Sequence, residues 1–222
     1  MASHPSDHLR GGAMTDASAG PESLNDLLVG AGIEKLKDSD LEKFDSYLEL
    51  LLKWNLRINL TAIRERGEIL RRHFVECIAC AGIVPLGIGT VLDFGSGAGF
   101  PGIPIAICRP DLHVTLAESQ KKKAAFLHEA IRAVGLDANV FAGRAESIGR
   151  TFDCVTLRAV DRMSAALKEA FPLVSNGGSL IVMTTEDLIP AIVSVREVSV
   201  NWERPLEIPG SYRGKFLIGC PQ

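Results

Sequence analysis

A short apolar stretch that runs into a glycine-rich loop constrains this chain more than any other feature. Thr90–Phe94 has the composition of a buried strand, and the loop that follows reads Gly95-Ser96-Gly97-Ala98-Gly99-Phe100-Pro101-Gly102. Glycine permits backbone conformations and close approaches that a Cβ would forbid. A strand that leads into such a loop and then into a helix is typical of a parallel α/β sheet that binds a nucleotide-like ligand at the carboxyl end of the strand.

Strand-like and helix-like segments alternate after Pro85. The predicted strands are Thr90–Phe94, His113–Glu118, Ala138–Ala142, Phe152–Leu157 and Ser179–Met183. The predicted helices between them are Ile103–Cys108, Lys121–Val134 and Arg162–Leu173. This alternation predicts a mostly parallel sheet with helices on both faces. A last apolar run, Phe216–Ile218, predicts an antiparallel edge strand that closes the sheet.

The region before the sheet divides into two parts. Residues 1–22 are small and polar without periodicity, which indicates a disordered leader. Residues 23–84 indicate a helical extension, in which Ser39 and Glu42 match a capping box and Arg64–Ala81 predicts a second helix. The apolar face of the first helix consists of Leu41, Phe44, Leu48, Leu51 and Leu52. We expect residues 85–222 to form the main domain, packed with the extension as one unit.

Composition excludes several functional classes. The net charge of −3 gives no bulk attraction to nucleic acid, so binding of that kind requires a local basic patch. The chain has neither an apolar run long enough to cross a bilayer nor a signal pattern, which predicts a cytoplasmic protein without membrane contact. Only Cys77 and Cys80 of the five cysteines are close in sequence, so no metal site is expected. We expect a monomer.

Three classes of cofactor compete for the glycine loop. A Walker loop requires Gly-Lys-Ser/Thr, and this loop contains no lysine. Gly97–Gly102 matches the G-x-G-x-x-G of dinucleotide folds, but the match comes late and contains Pro101. Asp93 would repel a pyrophosphate, whereas it suits the sulfonium and amino groups of S-adenosylmethionine. Glu118 ends the second strand, where it can accept hydrogen bonds from ribose hydroxyls in either case. The charge of the loop therefore favours S-adenosylmethionine.

The class of methyl acceptor is narrowed by motifs that the chain lacks. Methylation of a pyrimidine carbon needs a nucleophilic thiolate, and no cysteine follows a predicted strand in a loop. Amine methylation is associated with an Asn/Asp-Pro-Pro-aromatic clamp after the fourth strand. At that position this sequence reads Leu157-Arg158-Ala159-Val160, so the clamp is absent. A ring nitrogen such as guanine N7 is already nucleophilic and requires positioning and desolvation. Arg158 is the candidate catalytic residue, which would hold either the cofactor carboxylate or the guanine edge.

Basic residues cluster despite the acidic total. They are Arg64, Arg66, Arg71, Arg72, Lys121, Lys122, Lys123, Arg144, Arg150, Arg158 and Arg162. Most lie where a parallel sheet would place them on the cofactor side. Lys121–Lys123 begin a predicted helix, where cations oppose the macrodipole, and this favours a functional reason for them. The alternative is a solvated charged face.

Together these segments resemble one family, the bacterial small-subunit ribosomal RNA guanine-N7 methyltransferases, also called glucose-inhibited division protein B. The resemblance covers about residues 24–183. The segments that carry it are Asn59–Ile63, Arg72-His73, Asp93–Pro104, Glu118–Lys122, Phe126-Leu127, Arg144–Glu146 and Arg158–Val160.

The resemblance implies a Rossmann-like, mostly parallel sheet of seven strands, the last antiparallel, with an N-terminal helical extension. It implies S-adenosylmethionine as cofactor and N7 of a guanine in small-subunit (16S) ribosomal RNA, free or in the small subunit, as acceptor. The expected cofactor contacts are Asp93, Gly95, Gly97, Gly99, Phe100, Glu118, Ala145, Glu146 and Arg158. The expected RNA contacts are Asn59, Arg72, His73, Lys121, Lys122 and Lys123. The alternatives are a methyltransferase for a small molecule or protein, and a non-catalytic RNA-binding module.

Overall fold

An eight-stranded sheet organises the structure, a computed structural model that describes residues 22–158 and 163–222. The strands are β1 Thr90–Phe94, β2 His113–Ala117, β3 Ala138–Phe141, β4 Phe152–Arg158, β5 Val174–Thr185, β6 Val200–Trp202, β7 Leu206–Glu207 and β8 Gly214–Pro221. Their order is β3-β2-β1-β4-β5-β8-β6, and the two-residue β7 pairs with β8. The first five strands are parallel and β8 is antiparallel to β5, as predicted.

Helices cover both faces of the sheet. They are α1 Leu24–Gly30, α2 Asp38–Asn55, α3 Arg66–Ile69, α4 Glu76–Ile83, α5 Gly102–Cys108, α6 Lys121–Val134, α7 Met163–Ala170 and α8 Ile189–Val193. A π-helical segment, Leu70–Val75, connects α3 to α4. Within the described residues, no helix has the length and apolar character that a membrane crossing requires.

The N-terminal extension shares a hydrophobic core with the sheet. Successive β1 residues point to opposite faces, so Val91 belongs to one cluster and Leu92 to the other. The first cluster also contains Leu48 and Leu51 of α2 together with Leu127 of α6, all fully buried. Each such leucine stabilises the fold by roughly 1.5–3 kcal/mol. The extension is therefore held against the sheet by the same core that holds α5 and α6.

Two predictions for the extension are wrong in detail. Helix α2 begins at Asp38, and its N-cap Lys37 makes no side-chain capping bond, so Ser39 lies inside the first turn. The acidic first turn interacts favourably with the helix dipole instead. A reciprocal capping box does occur, between Ser23 and Asp26 at the start of α1. The helix predicted over Arg64–Ala81 begins at Arg66 and contains the π-helical segment.

The C-terminal part is more extensively paired than predicted. Strand β8 covers eight residues and lies between β5 and β6, so it is not an edge strand. Strand β6 has only three residues, of which Asn201 is exposed and its two neighbours are half-buried, and such a short run is not detected by apolar–polar alternation. The helix predicted over Arg162–Leu173 is observed as Met163–Ala170 followed by a 3-10 turn, Phe171–Leu173. Arg162, Ala159 and Val160 lie outside the described residues, as does nearly all of the predicted leader.

Candidate active site

A cleft of about 1280 Å³ opens at the carboxyl ends of the parallel strands. Strand order reverses between β1 and β4, and such switch points are where open α/β sheets bind ligands. The glycine loop, Glu118 and Arg158 contribute to one part of its lining. The π-helical segment and the turn that precedes β8 contribute to the rest, so the cleft is built jointly by the sheet and the N-terminal extension.

Asp93 lies beneath the glycine loop and is fully buried. Its carboxylate accepts hydrogen bonds from the Ser96 hydroxyl, from the Gly102 N–H at 3.1 Å and from the Thr156 hydroxyl at 3.1 Å. Burial raises the pKa of Asp93 to about 6, although the three hydrogen bonds oppose that rise. The side chain is absent from the cleft lining among the described residues. It therefore shapes the loop from below, which differs from the direct charge contact expected from the sequence.

The glycines of the loop are required by its geometry. Gly97 has φ +59°, a conformation that side chains rarely adopt, and its N–H points to Glu118. At Gly102, an added Cβ would lie 2.2 Å from Leu116 Cδ2 and 2.7 Å from Asp93 Oδ2. Gly95 and Gly97 line the cleft with Phe100, whereas Gly99 packs against Ile103 and Tyr47.

Glu118 is a nearly buried carboxylate at the end of β2 that lines the cleft. One oxygen accepts the Gly97 N–H at 3.0 Å and the other accepts the Gln120 N–H at 2.7 Å. Each carboxylate oxygen has two lone pairs, so both retain capacity for a ligand hydroxyl. The two backbone bonds fix the carboxylate between the glycine loop and the start of α6. This geometry suits a vicinal diol.

Arg158, at the end of β4, connects the sheet to the extension. Its guanidinium donates to Glu76 Oε2 at 2.6 Å, to the Arg72 carbonyl at 2.6 Å and to Cys77 Sγ at 3.1 Å. It also lies over the Phe100 ring, 5.6 Å from the centroid. Burial raises the pKa of Cys77 to about 12, so the sulfur accepts as a neutral thiol. The π-helical segment supplies the Arg72 carbonyl, and such segments are frequent at functional sites.

His73 occupies the cleft wall as a neutral imidazole. Burial, aided by the adjacent Arg158 guanidinium, lowers the pKa of His73 to about 3. Its Nε2 lies 2.8 Å from the Thr61 hydroxyl, and its ring is 4.7 Å from the Phe100 ring, centroid to centroid. His73 therefore contributes shape and hydrogen bonding to the cleft, without a positive charge at neutral pH.

The remaining predicted site residues are not all in the cleft. Arg72 and Lys123 line it, and Lys121 and Lys122 are exposed in the same first turn of α6. Asn59 is exposed and accepts a long hydrogen bond, 3.4 Å, from Arg64. Ala145 is buried after β3, and Glu146 pairs with Arg144 at 2.9 Å. Neither Asn59 nor the 145–146 pair belongs to the described lining of the cleft.

Ion pairing separates the predicted basic residues into two groups. Carboxylates pair with Arg66, Arg71, Arg144 and Arg158. Arg64 and Arg150 donate to the neutral side chains of Asn59 and Thr115. Within residues 22–158 and 163–222, Arg72 and Lys121–Lys123 have no carboxylate partner. An unpaired cation at the mouth of a cleft keeps its full charge for an anionic ligand. Arg72 and Lys121–Lys123 are therefore the better candidates for phosphate contacts.

Four important residues were missed by sequence reasoning. Tyr47 is fully buried, and its hydroxyl donates to the Ala98 carbonyl, so α2 touches the glycine loop directly. Asn55 accepts the Leu60 and Thr61 N–H groups at 2.9 and 3.0 Å and thereby orders the 60–62 loop. Thr61 and Glu76 line the cleft. Tyr47 shares the helical face of Phe44 and Leu51, a signal that was available, but nothing local distinguishes Glu76.

The described residues contain no cluster of metal-ligating side chains. The five cysteines are all free thiols, and Cys77, Cys80 and Cys154 are buried.

Comparisons with known proteins point to one family. The sequence profile of GidB, described as rRNA small subunit methyltransferase G, matches residues 40–208. A protein named ribosomal RNA small subunit methyltransferase G from Listeria monocytogenes is 41% identical over 171 residues, 73% of this chain and 71% of that protein. The protein of the same name from Xanthomonas euvesicatoria is 37% identical over 214 residues, 92% of this chain and 98% of that protein.

Solved structures agree on the fold. A SAM-dependent methyltransferase from Aquifex aeolicus is similar with a TM-score of 0.55 at 15% identity, over 68% of this chain and 92% of that one. At this identity the likeness concerns the fold alone. The mostly parallel sheet was predicted from the order of strands and helices, and the methyltransferase form of that sheet was implied by the family resemblance.

Proposed function

This chain belongs to the family of rRNA small subunit methyltransferase G, and on that premise we propose that it methylates N7 of a guanine in small-subunit ribosomal RNA. The methyl donor is S-adenosylmethionine, and the cytoplasm is the expected compartment. The observation that carries the proposal is the joint cleft, where Glu118 and the glycine loop meet Arg72 and Lys123, two cations without a carboxylate partner among the described residues. Family membership does not favour a small-molecule or protein substrate, or a non-catalytic role.

The residues of the cleft fit the parts of S-adenosylmethionine. Glu118 would hold the ribose diol with its two backbone-anchored oxygens. The loop at Gly95–Gly97 allows close approach because a Cβ is absent at both glycines. Phe100 provides an apolar wall beside the loop.

The Arg158–Glu76 pair would hold the amino-acid end of the cofactor. That end carries a carboxylate and an ammonium group, so it is complementary to a guanidinium beside a carboxylate. Arg158 and Glu76 are 12% and 14% exposed at the cleft, 2.6 Å apart. We therefore assign the cofactor carboxylate to Arg158 and the ammonium to Glu76. Under this assignment Arg158 does not contact the guanine edge, which other groups would bind.

Catalysis in this cleft would consist of positioning and exclusion of water. When bound, S-adenosylmethionine supplies an electrophilic methyl group on a sulfonium. Guanine N7 has a free lone pair, so the chain need not remove a proton from it. His73 and Thr61 form an uncharged wall near Phe100, so these two side chains would place no ionised group beside the sulfonium.

Labelled methyl transfer tests the proposal. The full chain is incubated with methyl-labelled S-adenosylmethionine and with ribosomal subunits from a strain that lacks this protein. We expect label in small-subunit ribosomal RNA and none in large-subunit RNA or protein. Glu118→Gln should raise the KM for S-adenosylmethionine at least about tenfold, because the amide loses charge and one acceptor. Label in protein, or the absence of transfer, would contradict the proposal.

A further inference from the structure

One aromatic residue at the cleft is almost fully exposed. Tyr212 is 98% exposed, whereas the other tyrosine, Tyr47, is completely buried. Among the described residues, Tyr212 is the only aromatic side chain in the exposed hydrophobic set. An aromatic ring left in water forgoes the stabilisation that burial would give. Tyr212 lines the cleft, so its exposed ring is available to a ligand bound there.

The turn that presents Tyr212 is firmly anchored. The Ser211 N–H donates to the Ile208 carbonyl at 3.0 Å, and the Gly214 N–H donates to the Ser211 hydroxyl at 3.2 Å. At Gly210, φ is +75°, and an added Cβ would lie 3.3 Å from both Ala31 and Val75 of the extension. The ring is thus held out by a turn that packs against the N-terminal extension.

The charges around the turn are already neutralised. Arg213 pairs with Asp187 at 3.1 Å, and Lys215 pairs with Glu207 and Glu186. Elsewhere in the lining of the cleft, Arg72 has no carboxylate partner within the described ranges. Within the described residues, the lining therefore offers two kinds of contact: a cation without a carboxylate partner, Arg72, and the exposed aromatic face of Tyr212.

We propose that Tyr212 stacks on a base of the RNA substrate and so holds the target region open at the cleft. This inference rests on the proposed function. A guanine that reacts inside a cleft must leave its stacked helix or come from a single-stranded loop. An exposed aromatic ring replaces the lost stacking and accepts any base, while the Arg72 cation in the same cleft contacts the phosphates. Tyr212 is a positioning residue here, not a catalytic one.

Kinetics of position 212 variants test the proposal. Tyr212→Ala should raise the KM for ribosomal RNA roughly tenfold, the order expected for one lost stack. The KM for S-adenosylmethionine and the melting temperature should stay at wild-type values, because the ring is exposed. Tyr212→Phe and Tyr212→Trp keep a stacking face and should retain the wild-type KM for RNA. Leu86→Ala, at an 87% exposed apolar residue before β1, is the matched control and should change nothing.

Two outcomes would overturn the stacking role: an unchanged KM for RNA in Tyr212→Ala, or a loss in Tyr212→Phe equal to that in Tyr212→Ala. An equal loss would assign the effect to the hydroxyl instead of the ring. Failure of the wild-type chain to methylate ribosomal RNA would overturn the proposed function, and this inference with it. That failure is visible before any variant is compared, so the two results are distinguishable.

Discussion

The Arg158 guanidinium lies 2.6 Å from the Glu76 carboxylate and joins the end of strand β4 to the start of helix α4. The same guanidinium donates to the Arg72 carbonyl, so one side chain connects the proposed cofactor site to the proposed RNA face. The N-terminal extension is thereby part of the active site rather than an appendage. Its contacts with the glycine loop through Tyr47 lead to the same conclusion.

Removal of Arg158 should destabilise the protein as well as weaken cofactor binding. Arg158→Ala leaves Glu76, only 14% exposed, without its cation, and breaking a buried pair in this way typically costs about 3 kcal/mol. Urea denaturation measures the change in the free energy of unfolding. Lys168→Ala is the control, because Lys168 and Glu197 are exposed and their loss should be far smaller. Equal effects of the two variants would contradict the assigned role of the pair.

The imidazole of His73 should remain neutral throughout the physiological range. Its pKa is lowered to about 3 by burial and by Arg158, below the ordinary value of 6.5. The folded state therefore excludes a proton that the unfolded state binds. The contribution of His73 to stability is complete above pH 6.5 and is lost as pH falls toward 3. NMR titration, with the signal assigned by His73→Gln, should show a flat shift from pH 5 to 8; a midpoint near 6.5 would refute this.

Alanine at two glycines should have opposite effects. Gly102→Ala places a Cβ against Leu116 and Asp93 and should cost about 1–3 kcal/mol, with weaker binding of S-adenosylmethionine. Gly82→Ala, in α4 with open space around it, should stabilise by about 0.5–1 kcal/mol through helix propensity. Thermal unfolding and calorimetry measure the two effects. Wild-type affinity of Gly102→Ala for S-adenosylmethionine would contradict this prediction, because it would show that the added Cβ does not disturb the glycine loop.

Three lysines that have no carboxylate partner in the described part of the chain should account for part of the salt dependence of RNA binding. Replacing Lys121, Lys122 and Lys123 one at a time by alanine should lower the slope of log affinity against log salt by about 1 for each phosphate contact. Arg66→Ala is the matched control, because Arg66 is neutralised by Asp45 and Glu49. A slope that changes equally in the control would place the RNA elsewhere.

Local pattern sufficed for the framework of the fold. Alternation of apolar runs and helical segments predicted β1 to β4 to within one residue, because buried parallel strands are continuous apolar stretches. Strand β5 begins at Val174, five residues before the predicted start at Ser179. Strand β6 and the π-helical segment were not predicted. The first pairs with β8 and the second accepts a hydrogen bond from Arg158, and a local pattern does not report such long-range contacts. The position of the cleft, at the carboxyl ends of the parallel strands, was also predictable from the topology of the sheet.

The roles of individual site residues were harder to predict from the sequence. Asp93 was expected beside the cofactor because of its charge, yet its hydrogen bonds to Ser96, Gly102 and Thr156 enclose it beneath the loop. Glu76 and Tyr47 are separated in sequence from the glycine loop and reach the site only through the packing of the extension, so sequence reasoning did not identify them. Glu118 and Phe100 line the cleft, and their roles as cofactor contacts stay predictions.

Nucleoside mass spectrometry tests the central claim most directly. Small-subunit RNA that lacks the modification is incubated with S-adenosylmethionine and the wild-type chain, then digested to nucleosides. The account predicts one new nucleoside, N7-methylguanosine, and its formation at least about tenfold more slowly when Glu118→Gln replaces the wild type at limiting cofactor. A methyl group on an exocyclic amine, on a pyrimidine carbon or on no RNA nucleoside at all would contradict it.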